Sequence, residues 1–414
     1  MSGVKPFARV AAAGIAFQAG SAAIDSATIM AALVFQLAGS SVLVGAVTAI
    51  LRFGWLFPQL VVGFLAQRSG SSMRYYVIGA FGRAICMAML ALVLYAGAQW
   101  PAGLLTGAVM GLWTAYAFIS GIVAVPYNDI VARSVPSALR SRLLATRFFG
   151  GGVLALGIAA LADRLVGTLA FPLSYAVIIA MASGLMFLSS AVFTSMGEPA
   201  AEGRKTGKPG FFQYLKEGRK TFHADTRFRL FVFAQWSGGA VLMAMPFYVV
   251  QASASGFSLD RVALLLGAQT AGALISNALW GWWGDRLGKV SLLKTIALGR
   301  TLPPAAILLL SFGGLSGSGQ MLNVFMALFF VLGALANGLT IAVIGFLMEI
   351  SPEHRRPAYS GYFNALTAPA FLLPLLAGFI AERFGLNTVF IISLAAALLQ
   401  SLILMRIGRR SEAR

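Results

Sequence analysis

Two opposite charges lie deep inside apolar stretches near the start of the chain. Asp25 lies within the apolar stretch 10–36, and Arg52 lies within the next one, 42–66. At a helical rise of 1.5 Å per residue, each lies about 15 Å from the outer end of its stretch, near the middle of a bilayer. A charge at that depth costs at least about 2.5–3.5 kcal/mol, which marks both residues as candidates for function.

The chemistry open to this pair is proton transfer or anion binding. Asp25 could take up a proton when its pairing with Arg52 weakens, because a nearby cation stabilises the charged form of a buried carboxylate. The Arg52 guanidinium could instead bind a carboxylate or phosphate of a ligand, and a permanent structural ion pair is the alternative. Gln18, Ser21 and Thr28 share a helical face with Asp25 at spacings of 3, 4 and 3, which predicts a polar stripe along a water-filled cavity.

The composition is that of a chain dissolved in lipid. Of 414 residues, 59% are apolar and 11% are charged, and the mean hydropathy is +0.83. Soluble proteins carry roughly a quarter of charged residues, so a soluble enzyme, a disordered chain and a fibrous chain are all disfavoured. Stretches of about 20 apolar residues can cross a membrane. The predicted membrane spans are 10–36, 42–66, 75–98, 102–127, 147–168, 170–195, 229–252, 262–284, 291–313, 321–348, 359–381 and 386–406.

The basic residues are distributed unevenly among the loops. The chain has 31 Lys and Arg against 13 Asp and Glu, a net charge of +18. With both termini inside, nearly all of the basic residues lie on one face, which predicts cytoplasmic termini in an inner membrane and requires no nucleic acid. The exceptions are Arg164, Arg261 and Arg383 in predicted outer loops and Arg52, Arg83 and Arg300 within spans.

An internal repeat relates the two halves of the sequence. Gly63, Arg68 and Gly70 are matched by Gly281, Arg286 and Gly288 at an offset of 218. Similar offsets relate Arg83 to Arg300, Pro136 and Arg140 to Pro352 and Arg356, and Asp163-Arg164 to Glu382-Arg383. Such a repeat predicts two six-helix halves related by an axis along the membrane normal.

With this repeat the chain resembles the major facilitator superfamily. The family's signature loop, Gly-x-x-x-Asp-Arg-x-Gly-Arg/Lys, is matched fully by residues 281–289 and in degraded form by residues 63–71, which have Gln67 in place of the acid. The resemblance implies an all-α membrane protein of twelve helices in two pseudosymmetric bundles, 1–196 and 229–414, that rock about a midplane site. Residues 197–228 would form a central cytoplasmic loop, in which 211–220 reads as an amphipathic surface helix or as a solvated linker.

The resemblance also implies a gating role for the signature loops. Asp285 would accept hydrogen bonds from the start of a neighbouring helix or pair with arginines, in a contact that breaks when the conformation changes. Ordinary interfacial charges are the alternative. Asp129 and Arg133 could partly replace the acid missing at Gln67. The predicted gating set is Gly63, Gln67, Arg68, Gly70, Asp129, Arg133, Gly281, Asp285, Arg286, Gly288 and Lys289.

Neutral polar and aromatic residues within spans are the remaining candidates for ligand contact. Amides beside aromatic rings suit a planar organic ligand, although aromatic residues are also common in membrane cores. Together with Asp25, Arg52, Gln18, Ser21 and Thr28, the predicted substrate and proton path comprises Trp113, Tyr116, Gln235, Trp236, Gln269, Asn337 and Tyr362.

The residue inventory disfavours an enzyme and ATP-driven transport. Both histidines, His223 and His354, fall in predicted loops, and no metal-binding, nucleophile-elbow or phosphate-loop pattern is present. We therefore expect no cofactor and no metal, and a monomer that couples transport of a small organic molecule to protons. Uptake of a nutrient, for example a vitamin or flavin-like planar aromatic compound, is favoured.

Two rival functions remain open. Proton-antiport efflux carriers of this superfamily have a Gly-Pro motif in helix 5, whereas the span 147–168 contains no proline. This difference favours uptake over efflux of drugs or metabolites. The other rival is a sensor or accessory membrane protein that moves nothing.

Overall fold

The described part of the chain is built of α-helices. The structure, a computed structural model, describes residues 4–26, 29–69, 71–199, 210–254, 259–313 and 318–409. The helices are α1 (Val4–Ala22), α2 (Ile29–Ala38), α3 (Ser41–Leu56), α4 (Pro58–Ser69), α5 (Met73–Ala96), α6 (Ala102–Gly121), α7 (Ala124–Ser134), α8 (Ser137–Thr168), α9 (Leu173–Thr194), α10 (Phe211–Ala224), α11 (Thr226–Val241), α12 (Met245–Ala254), α13 (Leu259–Arg286), α14 (Lys289–Gly299), α15 (Leu302–Gly313), α16 (Ser318–Ile350), α17 (Arg356–Thr367), α18 (Leu373–Phe384) and α19 (Leu386–Arg409).

The predicted all-α membrane fold is confirmed. Within the described residues, nine helical segments are long and apolar enough to cross a membrane. They are Ala49–Ser69, Met73–Ala96, Ala102–Ser134, Ser137–Thr168, Leu173–Thr194, Thr226–Ala252, Lys289–Ser311, Met321–Ile350 and Leu386–Ile407. The other predicted spans also fall on helices, and the total of twelve crossings stays a prediction.

The first predicted span is interrupted, which corrects the single helix expected over 10–36. The N–H groups of Ile24 and Asp25 bond to Ser21 O and Ala22 O, three residues back, and this tighter turn ends α1. Asp25 therefore lies in the connection to α2 and does not continue the α1 face of Gln18 and Ser21. Thr28, the last member of the predicted stripe, lies outside the described residues.

A related interruption occurs in the second half, at the position that the repeat predicts. A 3-10 turn over Leu242–Ala244 separates α11 from α12, and residue 243 corresponds to Asp25 at the offset of 218. Discontinuous helices expose backbone groups that a continuous helix would satisfy internally, and in transporters such breaks occur at binding sites.

Local sequence explains several helix boundaries. Ser40 Oγ accepts a bond from Leu43 N at the start of α3, and Asp225 Oδ1 accepts one from Phe228 N at the start of α11. Gly288 of the signature loop has φ of +88°, a left-handed conformation that glycine adopts without strain, and it directly precedes α14.

The chain forms two compact units. Unit 1 comprises Met1–Pro136, Thr146–Tyr214 and Ser351–Ala365; unit 2 comprises Ser137–Ala145, Leu215–Ile350 and Leu366–Arg414. Each unit thus includes a short segment from beyond the predicted bundle boundaries at 196 and 229, which stay a prediction.

The core of each unit is apolar and close-packed. In unit 1, Met30, Leu33, Met87, Leu90 and Trp113 are completely buried between α2, α5 and α6. In unit 2, α13 and α16 cross so closely that a Cβ on Gly272 or Gly333 would overlap the backbone of the facing helix. Small residues allow such approach of helices, which in lipid is stabilised mainly by van der Waals packing.

Candidate functional site

The carboxylate of Asp285 joins the end of α13 to the start of α8 within unit 2. Its two oxygens accept hydrogen bonds from the backbone N–H groups of Ser141 and Arg142, each at 2.9 Å. Lys289 Nζ lies 3.1 Å from Asp285 Oδ1 and donates to Ser137 O at 2.5 Å. We call this contact the Asp285 clasp.

Glycines allow the close packing that the clasp requires. A Cβ on Gly284 would lie 2.3 Å from Ser141 Oγ, and one on Gly281 would lie 2.7 Å from the Cβ of Ala145. The side chains of Asp285 and Lys289 are 3% and 4% exposed. Arg286, in contrast, is exposed. The lysine, and not an arginine, is the cation that pairs with the acid.

The repeat places a matching contact in unit 1. A Cβ on Gly63 of α4 would lie 2.9 Å from Pro357 O and 3.2 Å from Gly361 Cα of α17. Pro357 and Gly361 are the counterparts of Ser141 and Ala145 at the offset of 216. The duplicated sequence therefore forms the same glycine contact twice, once in each unit.

The central-loop helix α10 extends the unit 1 contact. Tyr214 is 1% exposed, its carbonyl accepts a bond from Tyr362 Oη at 2.7 Å, and the two rings are 4.6 Å apart. The side-chain amide of Asn364 donates to Gln59 Oε1. The helix predicted for residues 211–220 is confirmed, and its location on a membrane surface stays a prediction.

In unit 1 a network of side chains joins the start of α5, the helix α7 and the end of α9, and replacement of the missing acid by Asp129 and Arg133 stays a prediction. Asp129 Oδ2 accepts from Ser72 Oγ at 2.6 Å and from Arg133 at 2.8 Å, and Arg133 also contacts Glu198 at 3.1 Å. Gln67 Oε1 is buried without a partner among the described residues. Arg68 is exposed with its guanidinium 5.9 Å from the Phe64 ring centre. Gly70 lies outside the described residues.

The Glu198 carboxylate is held in its charged form by this network. Partial burial raises its pKa, but hydrogen bonds from Ser71 Oγ, Ser72 N–H and Arg133 outweigh burial, so that the pKa lies below its usual value. Sequence reasoning did not identify Glu198, because only the fold brings the end of α9 to the start of α5.

The two deep charges of the first half lie on different helices of unit 1. Asp25 occupies the connection between α1 and α2, and Arg52 lies on α3, both with exposed side chains. Gln18 and Ser21 on α1 are half-buried. The predicted pairing of Asp25 with Arg52 stays a prediction.

Several aromatic and amide candidates are engaged in packing. Trp113 is completely buried and its indole N–H donates to Val47 O at 2.9 Å, and its predicted ligand role stays a prediction. Trp236 Nε1 donates to Leu366 O, and the Asn337 amide donates to Ala273 O. Gln235 and Gln269 are half-buried. These hydrogen bonds fix side chains within a unit and do not point to a ligand.

Buried arginines differ sharply between the repeats. Arg300 donates to Gln400 Oε1 at 2.8 Å and to Gly238 O at 3.0 Å in unit 2. Its counterpart Arg83 instead lies over the Phe17 ring, 3.8 Å from the ring centre, near Arg147. Arg147 was missed because its predicted span begins at residue 147, whereas α8 begins ten residues earlier, at Ser137.

The second half of the chain matches a known protein family. Residues 228–414 match the family model of the Major Facilitator Superfamily. No curated protein sequence gives a significant match.

Solved structures share the fold across nearly the whole chain. A bacterial homologue of the iron transporter ferroportin in an outward-facing state gives a TM-score of 0.77 at 15% identity, covering 98% of this chain and 99% of that one. The proton:xylose symporter XylE, bound to 6-bromo-6-deoxy-D-glucose, gives 0.72 at 16%, covering 98% and 95%. The E. coli fucose:proton symporter FucP gives 0.75 at 14%, covering 98% and 99%.

The fold is therefore that of a multi-pass α-helical membrane protein, and solved transporters share it. The second half of the chain matches the family model of the Major Facilitator Superfamily, and the whole length shares the fold of solved transporters. At identities of 14–16%, the similarity to these structures shows the fold alone and does not indicate a substrate for this chain.

Proposed function

We propose that the protein is a secondary active transporter that takes up a small organic nutrient by alternating access, driven by protons. The observation that carries the proton role is the position of Asp25, an exposed carboxylate in the break between α1 and α2. A charge within a predicted span is costly and marks an ion or substrate path. The break between two helices also leaves backbone groups beside the Asp25 carboxylate without helical hydrogen bonds.

The cellular setting follows from the distribution of charge. The protein would lie in the inner membrane as a monomer with both termini in the cytoplasm, since basic residues favour the cytoplasmic face. A vitamin or flavin-like planar compound is the first candidate substrate. Proton-antiport efflux is the second function, and a non-transporting sensor or accessory protein is the third.

Luminal pH in proteoliposomes tests proton coupling. With riboflavin or the aromatic carboxylate nicotinate added outside, a symporter acidifies a lumen loaded with a pH-sensitive dye, and Asp25→Asn abolishes the signal. Asp225→Asn is the matched control, because asparagine keeps the helix cap at this position while also removing one charge. Unchanged coupling in Asp25→Asn would remove Asp25 from the proton path.

The same preparation separates the rival functions. Acidification with a vitamin supports uptake. A pH change driven only by hydrophobic drugs, with raised drug resistance of cells that produce the protein, would replace uptake by efflux. Binding without any solute or proton movement would support the sensor.

A further inference from the structure

Two arginines lie at equal depth inside unit 1. Arg83 is the eleventh residue of α5 and Arg147 the eleventh residue of α8, so each lies about 15 Å from the start of its helix. Arg83 is 4% exposed and Arg147 is half-buried. Both helices start on the predicted cytoplasmic side, which places the two guanidinium groups at the same level of the membrane.

One aromatic ring lies beside both guanidinium groups. The Phe17 ring centre is 3.8 Å from Arg83 Cζ and 5.8 Å from Arg147 Cζ, and the Tyr127 ring lies 5.0 Å from Arg147 Cζ. Cation–π contacts of this kind stabilise a desolvated cation by about 2 kcal/mol. They do not supply the negative charge that a buried cation lacks.

Neither arginine has an acidic partner among the residues that the structure describes. Arg83 Nε and Arg147 Nε are both buried without a hydrogen-bond acceptor there. The groups that act electrostatically on Arg83 are Tyr76, Tyr116 and Arg147 itself. Two like charges thus share a low-dielectric site without compensation, an arrangement that an anion would stabilise.

Packing fixes the position of Arg147. A Cβ on Gly14 of α1 would lie 2.4 Å from Arg147 Cδ, so the glycine provides the room for the arginine side chain. One turn further along α8, Gly150 and Gly151 contact Ile15 and Gln18 of α1 just as closely. The site is therefore built by helix contacts and is not a chance approach of mobile side chains.

The repeat provides an internal comparison. Arg300, the counterpart of Arg83, is equally buried, but its guanidinium donates to Gln400 Oε1 and Gly238 O. The second copy therefore shows how this fold satisfies a structural arginine at this position. The first copy retains the cation and lacks those acceptors.

We propose that Arg83 and Arg147 bind the carboxylate or phosphate group of a small aromatic anion, whose ring contacts Phe17, Tyr76 and Tyr116. Guanidinium groups bind such oxyanions through paired N–H donors, and aromatic side chains stack on a planar ligand. This assignment rests on the proposed transport function for its role, since it makes the transported nutrient an organic anion. The binding itself requires no transport.

Ligand binding to purified protein in detergent tests the site directly. Benzoate and phenyl phosphate bind and raise the unfolding temperature, whereas benzyl alcohol, which lacks the anion, does not. Arg83→Met and Arg147→Met each weaken binding at least about tenfold, which corresponds to about 1.4 kcal/mol. Arg74→Met, at an exposed position on α5, leaves the affinity unchanged. The stronger ligand of the two identifies the oxyanion as carboxylate or phosphate.

Stability without ligand separates a binding role from a structural one. Arg83→Met removes an uncompensated buried charge, so the unfolding temperature of the empty protein stays equal or rises. Arg300→Met lowers it, because Gln400 and Gly238 lose their donor. A loss in Arg83→Met as large as that in Arg300→Met would make Arg83 structural and overturn the proposal.

The remaining outcomes are equally decisive. Binding of neither anion, or unchanged affinity in both Arg83→Met and Arg147→Met, overturns the anion site whatever the transport assays show. Anion binding without proton-coupled flux would retain this site and overturn the proposed transport function instead.

Discussion

At the scale of single residues, charge placement carries most of the functional information. Asp285 forms a hydrogen-bonded ion pair with Lys289, and Asp129 forms one with Arg133. The Asp285 carboxylate also accepts hydrogen bonds from two backbone N–H groups. Arg83 lies within a helix without an acidic partner in the described part of the chain. A paired charge at a helix end fixes structure, whereas an uncompensated one inside the bundle is available to a ligand.

Glu198 gives a prediction about pH. The pKa of the Glu198 carboxyl in the folded protein lies below the usual 4.5. The hydrogen bonds to the charged carboxylate therefore stabilise the fold fully above the usual pKa, and this stabilisation is lost as the pH falls through the folded-state pKa. The unfolding temperature of Glu198→Gln should therefore lie below that of the unmodified protein at about pH 7, and the difference between the two should shrink as the pH falls below the usual pKa of the carboxyl.

An exposed carboxylate serves as the control for this measurement. Glu353 lies at the surface, with its side chain 65% exposed, and Glu353→Gln should change the unfolding temperature little. A difference between Glu198→Gln and the unmodified protein that widens as the pH falls would contradict the prediction.

At the scale of helices, duplicated glycine contacts determine which elements meet. Gly281 and Gly284 bring α13 against α8, and Gly63 brings α4 against α17. Only the first contact carries the acid–lysine pair. The second is extended by Tyr214 of α10, so the two copies share backbone geometry and differ in what stabilises it.

The Asp285 clasp gives a prediction about how α13 holds α8. Breaking a buried pair by removing one partner costs about 3–5 kcal/mol, so Asp285→Asn and Lys289→Met should each lower the free energy of unfolding by about 3 kcal/mol. The double variant should lose less than the sum, because neither charge is then left alone. Chemical denaturation of the unmodified protein, the two single variants and the double variant gives the four free energies of unfolding that make up this double-mutant cycle.

The matched control for the cycle is Arg219→Met, at an exposed position on α10. This variant should be within about 0.5 kcal/mol of the unmodified protein. Strict additivity of Asp285→Asn and Lys289→Met would show that the pair contributes no coupling.

At the scale of the whole molecule, hydropathy and charge set the architecture. The fold is shared with proteins that are only 14–16% identical, because many apolar sequences satisfy the same helical packing. Orientation in the membrane depends instead on where the basic residues lie. The fold and the orientation in the membrane are therefore independent properties and can be tested separately.

Labelling of single cysteines tests the predicted orientation. The parent variant Cys86→Ser removes the sole cysteine of the chain, which is buried. Single cysteines are then introduced at two exposed positions, Gln99→Cys between α5 and α6 and Gln213→Cys on α10. A membrane-impermeant maleimide should label Gln99→Cys in intact cells and Gln213→Cys only after permeabilisation. The Cys86→Ser parent should stay unlabelled in both conditions, and the reverse pattern would invert the topology.

The sequence alone determined the membrane class, the duplicated organisation and the signature loop around Asp285. Hydropathy, charge distribution and repeated spacing are properties that can be summed or compared along the chain without knowing any contact. The family resemblance followed from them, and the fold and family comparisons confirm it.

Only the tertiary structure decided which partners these residues have. In the structure α1 ends before Asp25, and the Asp285 carboxylate accepts hydrogen bonds from the N–H groups of Ser141 and Arg142. Arg147 lies beside Arg83. The physical reason is that each depends on contacts between segments far apart in sequence, or on a helix starting ten residues before its apolar stretch. Hydropathy along the chain contains neither kind of information.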